Sequence, residues 1–251
     1  MPIPKRPLDA IFPIVLQSAD PPRYSFRGTG FFLQPDGTFM TAKHVVDAVP
    51  LSSSLAAVDT RAEPPSPGLH LIEDLRLSPD YDIAIGRIPS WELPYPLELS
   101  ETEPALNADL ITLEFSQTSV QAGPDGLRHL NLVHSARKGH VVRGYVTEFL
   151  RITPVPTHVL ELSFPALRGA SGAPVVAELR HPQPGAVVGL LVANVERHLM
   201  PAQVERIEDD TGVIEERRYF LPLGLAISWR HLRSFALDNG VLGAEPGPSS
   251  L

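Results

Sequence analysis

Apolar side chains along this chain fall in short runs cut by turn residues, not in long helical stripes. Residues 11–17 read as a first strand, broken by Asp20-Pro21-Pro22. Gly28–Leu33 and Thr38–Ala42 read as the arms of a hairpin around Gln34-Pro35-Asp36-Gly37, with proline and glycine where such a turn wants them. Strand patterns return in Leu69–Leu77, in the alternating run from Ile83 to Ile88, and in Asp109–Phe115, Leu127–Val133, Lys138–Leu150, Thr157–Phe164, Pro174–Ala177, Ala186–Val195 and Phe220–Ser228. One helix is predicted, Trp229–Leu237, because Trp229, Leu232, Phe235 and Ala236 share a face at helical spacing. Residues 51–68, with their serines and prolines, read as loop, and 89–106 as a linker between two lobes. Residues 207–216 read as an acidic hairpin and 238–251 as a frayed tail. With 27 prolines and 18 glycines spread along the chain, long helices have no room, and the fold class is all-β, barrel or sandwich.

Composition narrows the function. A chain of 251 residues, 43% hydrophobic and 20% charged, has enough apolar material for a substantial core. A net charge of −8 argues against nucleic acid as the main partner, since phosphate contacts need a basic surface. With no cysteine, disulfides, thiolate metal sites and a cysteine nucleophile are excluded, and a cytoplasmic location is allowed. The early run Ile11–Leu16 is too short and too interrupted for a secretion signal, and no stretch reaches membrane-spanning length. The nine histidines show no metal-ligand spacing, so no metal and no cofactor is expected.

Three residues carry candidate chemistry. Ser171 sits in the turn Gly169-Ala170-Ser171-Gly172, followed by a β-branched run suited to a buried strand. Glycine at 169 allows the backbone to turn two N–H groups, those of Gly169 and Ser171, toward one developing oxyanion. His44 follows the end of a predicted strand, where the barrel would hold its backbone and leave the imidazole facing a cleft as a general base. Asp82 lies just before an apolar strand and can accept from the histidine and set its tautomer. Asp80 is a weaker rival, and Asp47 is too near His44 along the chain.

Order and flanks together resemble the chymotrypsin/trypsin-like serine peptidases, over about residues 10–237. Thr41-Ala42-Lys43-His44 is similar to that family's Thr-Ala-x-His segment, Asp82-Ile83-Ala84-Ile85 to its Asp-Ile-Ala-Leu segment, and Gly169-Ala170-Ser171-Gly172-Ala173-Pro174 to its Gly-Asp-Ser-Gly-Gly-Pro segment. Gly28-Thr29-Gly30-Phe31 resembles the strand before the histidine in bacterial members. The resemblance implies two six-stranded antiparallel β-barrels with a C-terminal helix. The lobe at 8–100 would carry His44 and Asp82, the lobe at 106–237 would carry Ser171, and 238–251 would be a flexible tail. It implies Ser171 as nucleophile, His44 as base and then acid, Asp82 as orienting carboxylate, and the Gly169 and Ser171 N–H groups as oxyanion hole. The primary specificity pocket would be lined by Pro165, Ala166, Val192, Ala193, Asn194 and Gly224. None of these is charged, which favours a small or apolar P1 residue, while the acidic hairpin keeps a basic P1 open.

Two departures from the family pattern matter. Ala170 replaces the aspartate that pairs with a newly cut N-terminus in digestive members, which removes activation by N-terminal trimming. The chain after Leu237 is too short for the PDZ domain of Deg-type relatives. The implied activity is endopeptidase cleavage of a protein or peptide substrate. Stand-alone domains of this kind resemble regulated effectors in bacterial defence or signalling, with 197–219 as the candidate contact for a regulatory partner. The alternative is an inactive trypsin-like fold acting as a protein-binding module.

Overall fold

The computed structural model describes residues 9–18, 23–61, 68–92, 94–122, 128–148, 153–198, 204–206, 214–216 and 220–243. The first half of the chain supplies β1 (Ile11–Ser18), β2 (Arg23–Phe32), β3 (Thr38–Thr41), a one-turn helix α1 (Lys43–Val46), β4 (Ser53–Asp59), β5 (Gly68–Leu71), β6 (Glu73–Leu77) and β7 (Ala84–Arg87). The second half supplies β8 (Asp109–Phe115), β9 (Ser119–Ala122), β10 (Arg128–Asn131), β11 (His134–Thr147), β12 (Thr157–Leu162), β13 (Pro174–Ala177), β14 (Val187–His198), β15 (Val204–Arg206), β16 (Ile214–Glu216), β17 (Phe220–Ser228) and the helix α2 (Trp229–Asp238). Most of the predicted acidic hairpin turn, and the tail beyond 243, lie outside the described residues.

The two halves close differently. Strands β11-β12-β17-β14-β13-β8 form a closed six-stranded barrel. The expected second barrel is instead a seven-stranded sheet in the order β5-β4-β1-β2-β3-β7-β6. Its two edge strands, β5 and β6, are neighbours in the chain, with Ile72 alone between them. Backbone geometry explains this: Asp74 adopts φ 51° and the register against β7 shifts between Glu73 and Arg76. The bend turns one extended segment so that its first part pairs with β4 and its second with β7. The sheet comes round on itself through a covalent corner where a ladder was expected.

Residues 53–59, expected as loop, form strand β4, paired on both sides between β1 and β5. Leu55 and Ala57 face the main core and Ala56 and Val58 a smaller cluster with Val15. A strand buried on both faces needs no alternation, and the alanines and preceding serines hide its apolar character.

One continuous core joins both halves. Phe12, Phe32, Phe39 and Trp91 stack at centroid distances of 4.7–5.4 Å in the first sheet. The same cluster includes Phe115 of β8, Leu190 of β14, Ile227 of β17 and Leu232 of α2. Each such side chain contributes about 1.5–3 kcal/mol on burial. The linker adds backbone bonds to both halves: Leu97 N–H donates to Phe32 O at 2.8 Å and Val187 N–H donates to Glu98 O at 2.8 Å. On α2, Leu232 and Ala236 are fully buried, one turn apart on the predicted face.

His231 of α2 packs its ring on Tyr81 at 4.1 Å, and its Nε2 accepts the His158 N–H at 2.9 Å. Burial, then the nearby His158 and Arg230 charges, hold its pKa below the ordinary 6.5. Burial alone does the same to His134, which lies edge-on to Phe115. Both groups stay neutral in the fold while the unfolded chain takes up protons near 6.5. Their stabilisation is therefore complete above that pH and is lost as pH falls below it toward the depressed folded values. The thermal midpoint should hold between about pH 8 and 7 and fall between about 6.5 and 5. His231→Gln, which keeps an acceptor, should flatten part of that fall; identical slopes in both proteins contradict the assignment.

Candidate active site

The end of β3 delivers His44. Helix α1 is one turn long and has no side-chain cap, so its position depends on outside contacts. Arg27 of β2 supplies them, with Nε on Val45 O at 3.2 Å and a terminal nitrogen on Asp47 O at 2.9 Å. These carbonyls end the helix, where a guanidinium satisfies acceptors that have no intrahelical partner. Lys43 Nζ donates to Ser78 O at 2.7 Å, tying the same turn to the loop that carries Asp82.

That loop is closed by its own bonds. Ser78 N–H donates to Ile83 O at 2.9 Å and Tyr81 N–H to Ser78 Oγ at 3.1 Å. Asp82 is left buried, with its side chain 2% exposed against 32% for His44. Its Oδ1 accepts the His44 backbone N–H at 2.9 Å, and its Oδ2 lies 2.6 Å from His44 Nδ1. One carboxylate thus holds both backbone and ring of the histidine. With the Nδ1 proton facing Asp82, Nε2 is the nitrogen left to accept a proton. The rivals do not reach: Asp80 is exposed, and exposed Asp47 bonds the Ala48 N–H at 2.7 Å.

Ser171 occupies a loop of tight turns. Ala170 N–H donates to Leu167 O at 2.9 Å, Ala173 N–H to Ala170 O at 3.0 Å, and Gly172 N–H to Leu191 O at 2.8 Å. Gly169 and Gly172 both take positive φ, 93° and 84°. Among the described residues, the N–H groups of Gly169 and Ser171 take part in none of the loop's hydrogen bonds. They flank Ala170 as two donors without an internal acceptor.

The loop is pinned to the first sheet at Thr29, which is fully buried. Thr29 N–H donates to Ser171 O at 2.9 Å, and its hydroxyl donates to Gly169 O at 3.1 Å while accepting the Phe115 N–H at 3.0 Å. Its carbonyl accepts from the Thr41 hydroxyl at 2.7 Å, three residues before His44. The backbones meet so closely that a Cβ on Gly172 would lie 2.2 Å from Thr29 O. One on Gly28 would lie 2.7 Å both from Ser171 O and from the Val45 side chain. Ser171 and the helix carrying His44 therefore meet across Gly28.

Of the six residues expected to line the pocket, Ala166, Asn194 and Gly224 come together. The Ala166 N–H donates to Asn194 Oδ1 at 2.6 Å, and Asn194 Nδ2 donates to Ala166 O at 2.7 Å. Gly224 pairs in register with Asn194 and donates its N–H to Phe164 O at 2.7 Å, next to Pro165. A bulge between Leu191 and Ala193 sets Val192 apart from the ladder, 6% exposed and in the core. Sequence reasoning gave no role to Thr29, Arg27 or Phe115; the motif Gly28-Thr29-Gly30 marked the place, but a threonine between glycines carries no sign of its bonding partners. Among the described residues, no cluster of three or more His, Asp or Glu could hold a metal ion, and no helix is long and apolar enough to cross a membrane.

The curled sheet carries the histidine–aspartate pair, and the closed barrel carries the serine turn. A family profile described as a trypsin-like peptidase domain matches residues 28–190, and the chain belongs to that family. No curated protein matches the chain. Among solved structures it is similar to the Rv3671c protease from M. tuberculosis in its active form, with a TM-score of 0.56, 18% identity, and 91% of this chain and 80% of that chain covered. It is also similar to the HtrA-type protease AlgW with a decapeptide, with a TM-score of 0.59, 12% identity, and coverage of 93% and 66%. At these identities the likeness shows the fold.

Thr29→Val removes the hydroxyl while keeping shape, leaving the Phe115 N–H and Gly169 O without their partner. The expected cost is about 1–3 kcal/mol of stability, measured by denaturant unfolding, with Thr29→Ser restoring most of it. A Val variant as stable as the parent contradicts the pinning role.

Proposed function

We propose that the chain is a serine endopeptidase in which Ser171, His44 and Asp82 form the catalytic triad. The observation that carries this reading is the double hold of Asp82 on His44, backbone at 2.9 Å and ring at 2.6 Å, opposite a serine loop with two free N–H donors. Ser171 Oγ attacks the scissile carbonyl as His44 Nε2 takes its proton, forming the C–O bond of a tetrahedral intermediate. The Gly169 and Ser171 N–H groups receive the oxyanion. Collapse breaks the C–N bond as the imidazolium gives its proton to the leaving amine, and water repeats the sequence to release the acyl group. Asp82 holds the ring in place throughout and stabilises the imidazolium that forms.

The substrate class in this reading is a protein or peptide, in keeping with the decapeptide held by the HtrA-type relative. The pocket carries no charge, which supports a small or apolar P1 residue. Ser171→Ala should reduce peptide hydrolysis by about 10⁴–10⁶-fold and Asp82→Asn by about 10⁴-fold, both with unchanged folding. The check is single-turnover and steady-state cleavage of a peptide library with product sequencing. Hydrolysis that survives Ser171→Ala would sink the triad. Tight peptide binding by the wild type with no cleavage would mean a binding module on this fold.

A further inference from the structure

We propose that the Asn194 carboxamide is a latch across the specificity cleft, confining P1 to the smallest side chains. The proposal rests on the peptidase reading above and assigns a selectivity device within the same site.

In the peptidase reading the specificity cleft lies between the segment 164–166, which leads to the serine turn, and strand β14 at 192–194. Asn194 is exposed, so water is available to both its polar atoms. They instead take the N–H and the C=O of one residue, Ala166, at 2.6 and 2.7 Å. That is the reciprocal pattern a residue in an antiparallel strand makes with its partner, here supplied by a side chain. The amide therefore acts as a rung between two backbones that no ladder joins. A P1 side chain longer than a methyl group, inserted between these walls, has to displace this rung and leave Ala166 N–H and C=O without partners.

Two neighbouring positions are already filled. Gly224 pairs with Asn194 in register, and a Cβ there would lie 2.6 Å from Phe164 O, so backbone already fills that side. Val192 is turned into the core. An uncharged amide also makes the filter independent of pH across the working range of the triad, unlike a latch built on a carboxylate or histidine.

Size selection of this kind is worth about 10–200-fold between side chains that do and do not fit. The test uses the full chain and two peptidyl diphenyl phosphonates that differ only at P1, alanine against phenylalanine. A small alkyl fluorophosphonate serves as a P1-blind control. Rates of Ser171 modification are read by intact mass for the wild type, Asn194→Ala and Asn194→Gly, each checked by thermal unfolding. The wild type should prefer the alanine probe by at least about tenfold. With each rate taken relative to that variant's own control rate, both variants should shift the alanine-to-phenylalanine ratio at least about tenfold toward the phenylalanine probe. Asn194→Ala keeps strand propensity and covers the case in which the glycine variant unfolds. Equal alanine-to-phenylalanine ratios in wild type and variants, with the control labelling all three, overturn the latch alone. Failure of the control to label the wild type overturns the peptidase reading and the latch with it.

Discussion

Thr29 is the residue through which the two halves of the molecule set one another's position. Its N–H, carbonyl and hydroxyl are all engaged, and four bonds lead from it to Ser171, Gly169, Phe115 and Thr41. Two of these hold the serine turn, one reaches β8 of the barrel, and one returns to Thr41 at the end of β3, three residues before His44. Buried bonds of this kind contribute modestly when made and cost heavily when broken, so the network favours one relative placement of the two sheets over nearby alternatives. A serine and a histidine drawn from different sheets need such a constraint, because small misplacement of reacting groups is expensive in rate.

The glycines around Thr29 follow from the same constraint. Gly28 and Gly172 stand where main chain meets main chain, and a Cβ at either place would sit well inside contact distance of backbone atoms. The positive φ of Gly172 and Gly169 adds a second reason for glycine there. In a family where attention falls on the nucleophile, these positions act earlier. They let two sheets approach until Thr29 can bond across the gap. The continuous core, running from Phe12 to Leu232, then stabilises the approach.

How far this was readable from the sequence depended on whether a residue's role is local. His44, Asp82 and Ser171 each sit beside an apolar strand with family-like flanks, and the structure pairs the first two and sets the third across Gly28. The hairpin at 34–37 and the helix from Trp229 were equally plain, because turn chemistry and helical spacing are short-range. Strand β4 was missed because a doubly buried strand rich in alanine lacks alternation. The closure of the first sheet was missed because a bend at Asp74 is a backbone event without a glycine or proline to announce it. Thr29 and Asn194 were named only as motif and pocket positions. Their partners, Gly169 and Ala166, lie far along the chain, and such pairings appear only once the sheets are assembled.

The central claim is that this assembly makes Ser171 a nucleophile that depends on His44 and Asp82. The most direct measurement is site-mapped labelling by a fluorophosphonate in the wild type and in His44→Ala. The account predicts modification at Ser171 alone, at a rate nearly abolished without His44. Labelling spread over other serines, or a Ser171 rate unchanged by loss of His44, would contradict it.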